Sequence, residues 1–307
     1  MPDYDTLIDA PTRDFIRRTE ATYPPDTARL SIAEQRAIYD GMCRAFFQGY
    51  PPGVTARDAP VAGVPCRHYA GQGPTVVYLH GGGFVVGGLD SHDDVCAAIC
   101  AVTGLPVVAV DYRLSPEHFH PAALMDVLAV VRHLAQVGPV LLAGDSTGGN
   151  LAAAACHVLR AEGIRPVGQV LIYPGLGGDL DSGSAIAHAD APMLTRDDLL
   201  FYRDICHGGP PPESDPTVAP LQDSDFGDLP PTVTFGAECD PLCDDAALYV
   251  MALTRAGGRG HFTLEHGLVH GYLRARSTVP RAAASFTRIT TAIAALARGA
   301  WPYGDQP

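Results

Sequence analysis

The sequence predicts an α/β protein, in which helices cover both faces of a mostly parallel central sheet. Near-continuous short runs of Val, Leu and Ile recur from about residue 60 onward, the composition of strands buried on both sides. Stretches of helical length separate them, as crossover connections between parallel strands require. With 307 residues, 47% of them hydrophobic, the chain can bury a large core.

The elements follow in order. Residues 1 to about 55 read as helical. Ser31 is placed as an N-cap with Glu34 three residues on, a capping-box spacing, and Ile38, Met42, Ala45 and Phe46 form one apolar stripe before Pro51-Pro52-Gly53 ends the segment. Strand-like runs occupy 75–80, 105–112, 139–144, 169–175, 232–238 and 261–266. Helices are expected at 91–104, 121–136 and 149–163. The stretch 177–216, rich in Gly, Asp and Pro around TRDDLLFYRDIC, breaks this rhythm and reads as an insertion above the sheet whose natural role is a lid. Pro-rich pieces at 210–220 and 228–231 are too short to be low-complexity domains. The expected organisation is a helical cap segment at 1–55 and a catalytic domain at 56–307, with 177–216 as a second cap insertion.

Composition removes several function classes. Against 34 acidic residues stand 21 basic ones, giving a net charge of −13, so a broad surface for nucleic acid or anionic membrane is not expected. Every basic residue is Arg. The chain therefore offers no P-loop Lys, no Schiff-base Lys and no Ser-Lys dyad. Its eight Cys show neither C-x-x-C nor paired zinc spacing and are expected as buried small hydrophobes. The first residues lack the apolar core of a secretory leader and no run is long enough for a membrane span, which leads to the expectation of a soluble, cytoplasmic protein.

Two words carry the chemistry. Gly144-Asp145-Ser146-Thr147-Gly148 follows the run PVLLA. A G-x-S-x-G segment between strand and helix makes a tight elbow that lifts the Ser Oγ beside a helix N-terminus. His80-Gly81-Gly82-Gly83-Phe84 directly follows TVVYL, and successive glycines let backbone N–H groups approach a carbonyl oxygen as it becomes negative. Either word alone also suits an ordinary turn; the pair together points to acyl transfer.

These words, with DYRLSPEHFHPAA at 111–123, DPL at 240–242 and HGY at 270–272, mean that the chain resembles the α/β-hydrolase carboxylesterases of the hormone-sensitive-lipase type, the bacterial family IV-like esterases. The likeness spans roughly residues 60–300. It implies an α/β-hydrolase fold with a helical cap and a serine esterase acting on small, uncharged esters of short to medium acyl chains. It places the nucleophile at Ser146, the triad acid at Asp240 and the base at His270, with oxyanion donors on the N–H groups of Gly82, Gly83 and Thr147. Thr147 departs from the Ala usual in the family; a backbone donor survives that change, and the added hydroxyl and methyl are expected to narrow the pocket or alter acyl preference. No cofactor and no metal is implied, and the expected partners are a small ester and, in a homodimer, a second copy.

The residues themselves lead to the same triad less directly. Asp240 closes the run TVTFGAEC and His270 follows the last strand-like run, in the order Ser, Asp, His that this fold uses. His266 is the nearest competitor, and Asp244 and Asp245 read as acids favouring a helix N-terminus or solvent. His80 is expected to brace the glycine loop through a hydrogen bond, Asp145 to be structural within the elbow, and Arg113 with Glu117 to form an ion pair behind the site. His118 and His120 read as ordinary imidazoles, and the acids of 223–228 as a solvated face. The same triad also serves amidase, lactonase, deacetylase or acyltransferase chemistry. A non-catalytic ligand-binding protein, a nucleotide-binding enzyme and a zinc hydrolase are the remaining readings, the last two opposed by their missing motifs.

Overall fold

The computed structural model describes residues 2–304 except 26, 210, 211 and 213; part of the Pro-rich stretch at 210–220 thus lies outside the described residues. Eight strands form one sheet: β1 Ala56–Asp58, β2 Cys66–Tyr69, β3 Thr75–Leu79, β4 Val107–Val110, β5 Val140–Asp145, β6 Gln169–Ile172, β7 Thr232–Cys239 and β8 Gly260–Val269. Their order is β1-β2-β4-β3-β5-β6-β7-β8. The run from β4 to β8 is parallel, whereas β1 and β2 add an antiparallel edge. That edge was not legible as strands, because three or four residues with charged neighbours carry little periodicity.

Ten helices accompany the sheet: α1 Tyr4–Leu7, α2 Ala10–Glu20, α3 Ile32–Phe46, α4 Asp93–Thr103, α5 Ala122–Val137, α6 Thr147–Ala161, α7 Gly183–Ala187, α8 Arg196–His207, α9 Cys243–Arg255 and α10 Pro280–Ala297. Strand side chains alternate between faces, and the core divides accordingly. Val76, Tyr78, Leu141 and Val170 pack with Ile99 of α4 and Ile293 of α10. Val77, Leu79, Leu142 and Leu171 pack with Val127 of α5, Leu151 of α6 and Leu253 of α9. The two-faced burial expected from the apolar runs is what the sheet shows.

At the N-terminus, Ser31 and Glu34 form the expected capping box. The stripe differs: Met42 and Phe46 are buried, but Ala45 is exposed and Cys43 takes its place on the buried face. Arg36 of α3 holds this segment down, donating from Nε to Val85 O at 2.8 Å and from Nη2 to Ser115 O at 2.9 Å. Helix α6 starts two residues earlier than expected, since β5 passes into it through Ser146 alone.

The 177–216 stretch contains α7 and α8, with Thr195 capping α8 in a second capping box. Asp244 and Asp245, both in the first turn of α9, tie it down; Asp244 is exposed as well, whereas Asp245 is not turned to solvent. Asp244 accepts from Ser184 N at 2.7 Å. Asp245 is buried and accepts from Leu176 N at 2.6 Å and Gly178 N at 3.3 Å. Both acids stand at the N-terminal end of α9, as expected, and from there they also hold the entry to the insertion. The seven Cys at 43, 66, 96, 100, 156, 206 and 239 are buried and Cys243 half-buried, all as free thiols. Among the described residues no helix is long and apolar enough to cross a membrane.

Burial pushes the Asp245 carboxyl up to about 6, and the two amides only partly oppose that rise. The native state therefore holds this proton more tightly than the unfolded chain, and stability falls as pH rises from about 4 to about 6, then levels. Asp245→Asn keeps an oxygen for both amides without the charge. It should melt above wild type at pH 8, by roughly 1–2 kcal/mol of stability, with the advantage shrinking towards pH 4. Thermal melts at pH 4, 6 and 8 check this, and a pH-independent difference would contradict it.

Candidate active site

Ser146 sits at the turn between β5 and α6 with φ +54° and ψ −121°, a conformation that costs a non-glycine residue about 1–3 kcal/mol. The neighbouring glycines make it possible through close approach. A Cβ on Gly148 would lie 1.9 Å from Leu79 O, and one on Gly144 would lie 2.4 Å from Gly148 O. With any side chain there, α6 could not seat its N-terminus against the end of β3.

His270 follows β8 and reaches across to this elbow. Its Nε2 is 2.9 Å from Ser146 Oγ, and its Nδ1 is 2.7 Å from Asp240 Oδ2. Asp240 is wholly buried just after β7, and its Oδ1 accepts from Leu242 N at 2.9 Å. A carboxylate on Nδ1 fixes that nitrogen as the N–H donor, which leaves Nε2 to accept the Ser146 proton. The Tyr173 ring packs against the imidazole at 4.8 Å. His266 is exposed and turns instead to Glu238, 3.2 Å away.

The glycine loop lines the same cavity as Ser146 and His270. Gly82 and Gly83 have φ +135° and +62°, and neither their amides nor that of Thr147 donates to an acceptor among the described residues. Thr147 opens α6, so its N–H carries the positive end of the helix dipole. The Thr147 hydroxyl is buried beside the Tyr112 phenol without a well-formed hydrogen bond to it. Thr147 itself lines the cavity beside Ser146.

Below the loop lies a polar cluster. Asp145 is buried and accepts from Tyr78 Oη at 2.8 Å, Gly81 N at 3.2 Å, His92 Nε2 at 3.2 Å and Tyr173 Oη at 3.4 Å. Burial alone would raise its carboxyl; His92 and Tyr78 outweigh that and hold it well below the usual range. His80 donates from Nδ1 to Gly81 O at 2.8 Å and stacks on Tyr112 at 4.3 Å. Burial, followed by the neighbouring His92, lowers its imidazole to about 4, so it stays neutral above that pH. Tyr112 Oη donates to His80 O at 2.6 Å.

The expected ion pair between Arg113 and Glu117 is absent. Arg113 instead forks onto Asp126 of α5, with its Nη2 at 2.7 Å, and Glu117 takes a fork from Arg36 at 2.7 and 2.9 Å. Residues 113–117 are not helical, so the four-residue spacing does not bring their side chains together. Nor is the acidic run 223–228 all solvated, since Asp223 pairs with Arg160 at 2.8 Å and His157 at 2.6 Å. His120 bonds Thr217 Oγ1 at 3.0 Å. Sequence reasoning missed His92, Tyr78, Tyr173 and the buried Arg274. Only the clustering of His92 with acids in SHDD gave any signal, and it read as a helix start.

Comparisons with known proteins agree with this geometry. A family model described as the alpha/beta hydrolase fold matches residues 76–274. The chain is 37% identical over 281 residues to Carboxylesterase NlhH of Mycobacterium tuberculosis, covering 85% of this chain and 81% of that one. It is 32% identical to the acetyl esterase of Salmonella typhi, covering 81% and 83%. The hyperthermophilic esterase of Pyrobaculum calidifontis superposes with a TM-score of 0.85 at 29% identity, covering 95% of this chain and 99% of that one. A strained serine between two obligatory glycines, an imidazole in reach of it and this extent of likeness lead to one assignment: the chain belongs to the α/β-hydrolase carboxylesterases.

Proposed function

We propose that Ser146, His270 and Asp240 carry out ester hydrolysis through an acyl-enzyme intermediate. The observation that carries this reading is the continuous hydrogen-bonded path from Ser146 Oγ through His270 to the buried Asp240. His270 Nε2 takes the Ser146 proton as Oγ attacks the ester carbonyl, while Asp240 holds the imidazole tautomer and stabilises its cation. The amides of Gly82, Gly83 and Thr147 receive the oxyanion. Because they donate to no acceptor among the described residues, no hydrogen bond to those residues has to break at that moment. The imidazolium then protonates the leaving alkoxide. Water, deprotonated by the same nitrogen, attacks the acyl carbonyl, and Ser146 leaves with its proton restored.

His80, Asp145 and Tyr112 act by position, keeping the loop and the elbow in register. The N-terminal segment 1–55 and the stretch 177–216 form the cap over this site. In support, Tyr23, Tyr39, Met42, Met193 and Tyr202 from those two segments line one cavity with Ser146. Its volume of about 1000 Å³ is at the upper end for small-molecule sites, which suits small and medium esters. Relatives named for acetyl esters and ethyl acetate support short acyl groups. Each proposed catalytic group comes from one chain, so the chemistry is complete in a monomer and a homodimer would only add to it.

Ser146→Ala should lower kcat on a short-chain aryl ester by about ten-thousandfold or more, and Asp240→Asn by about the same order, with little change in KM. Steady-state assays check both; activity that survives Ser146→Ala would overturn the assignment. Gly83→Ala puts a Cβ 2.4 Å from the Tyr202 ring at φ +62°, so the loop or α8 must move. Its kcat should fall about a hundredfold, the scale of one lost oxyanion donor; an unchanged kcat would remove Gly83 from the oxyanion site.

A further inference from the structure

Arg274 stands out because it is buried, charged and without an ion-pair partner among the described residues. It lies in the 3-10 turn Tyr272–Ala275 just after His270, only 9% exposed, and it lines the same cavity as Ser146. Its Nη1 donates to Ser91 O at 2.9 Å and its Nη2 to Tyr39 Oη at 2.7 Å. A guanidinium has five N–H groups, and no carboxylate among the described residues forms an ion pair with this one. Tyr39 spends a lone pair on Arg274, and its own hydrogen meets no acceptor among the described residues. Tyr23 Oη, in the same cavity, meets no partner at all among them. Burial raises both phenols, and the Arg274 charge acts against that rise in each, which puts both within its field.

Arg274, Tyr39 and Tyr23 thus keep N–H and O–H capacity at the cavity wall that no acceptor among the described residues takes up, and a ligand oxygen there would find several donors converging on it. We propose that Arg274, Tyr39 and Tyr23 form a donor subsite that receives a second, uncharged acceptor oxygen, such as a ketone or second ester carbonyl, on one arm of the substrate. This deepens the esterase reading above and rests on it.

Charge decides between a neutral oxygen and a carboxylate. Asp145 already supplies a buried negative charge that Arg274 feels. Asp145 cannot turn to Arg274, because its oxygens are taken by Tyr78, Gly81, His92 and Tyr173. Glu20, Asp179, Asp181, Asp197 and Asp198 line the same cavity in a chain of net charge −13. An entering carboxylate would meet these acids and find its cation already compensated. A carbonyl oxygen takes the N–H and O–H groups without adding charge.

The test compares three esters sharing one leaving group and one chain length, their far ends being methyl, methyl ketone or carboxylate. In wild type the ketone should exceed the methyl ester in kcat/KM by about tenfold, mainly through KM, the scale of one or two hydrogen bonds to a site with a charged donor. The ratio should drop to about threefold in Tyr23→Phe, which removes one hydroxyl at constant shape, and to about one in Arg274→Met. Should Arg274→Met fail to fold, Tyr23→Phe and Tyr39→Phe decide alone. Equal turnover of ketone and methyl esters, or a ratio unmoved in the Tyr variants, overturns the subsite, as does a carboxylate ester turned over best. If the methyl ester is hydrolysed by wild type and not by Ser146→Ala, such a failure counts against the subsite and leaves the triad standing.

Discussion

The site depends on one buried carboxylate beside the proposed nucleophile. Asp145 closes β5, and its four donors come from separate parts of the chain: Tyr78 on β3, Gly81 in the glycine loop, His92 before α4 and Tyr173 after β6. A single anion thus fixes the elbow and the glycine loop against each other. It can do so because enough dipoles and a histidine surround it to offset its desolvation. The glycines serve the same end from the other side, allowing α6 to meet β3 at a distance no side chain permits.

From that constraint the rest of the geometry follows. With Ser146 held at positive φ, its Oγ projects from the sheet at the N-terminus of α6, where the dipole and the Thr147 amide are already aimed. His270 and Asp240 need only lie after the neighbouring strands β8 and β7 to complete the path. The parallel order of β5, β6, β7 and β8 brings all these strand ends to one edge. Reacting groups therefore come from loops placed by a rigid layer, and the energy that orients them is paid in folding rather than during catalysis.

What was legible in the sequence is what local sterics demand. GDSTGG and HGGGF announce themselves because a tight turn and a close backbone approach need glycine at fixed offsets, whatever the rest of the chain does. Apolar runs gave the parallel strands for a like reason, since burial on both faces leaves no polar alternation. Groups whose roles depend on distant partners stayed hidden. Arg113 and Glu117 each had a charged neighbour four residues away, yet their partners are Asp126 and Arg36. Asp245 sits in a first helical turn, where the helix end or solvent was the plain expectation, and its bonds to the segment leading to α7 carried no local signal. Arg274 follows His270 closely but carries no motif, and only burial beside Tyr39 distinguishes it from any surface arginine.

The absence of lysine acquires a physical sense from these placements. Arg36, Arg113 and Arg132 each engage a carboxylate with two nitrogens, a planar match that an ammonium cannot make. At the cavity the choice matters more, because a buried lysine readily sheds its proton whereas a guanidinium keeps its charge. Arg274 therefore stays a cation. Asp145 is held as an anion and His80 as a neutral ring above a pH of about 4. These three groups near Ser146 thus keep their charge states when pH moves near neutrality. Asp245, also in the cavity wall, is pushed up to about 6, and its amide partners lie at the entry to the insertion. In the proposed mechanism the proton moves along the axis from Ser146 to His270, beside these fixed charges.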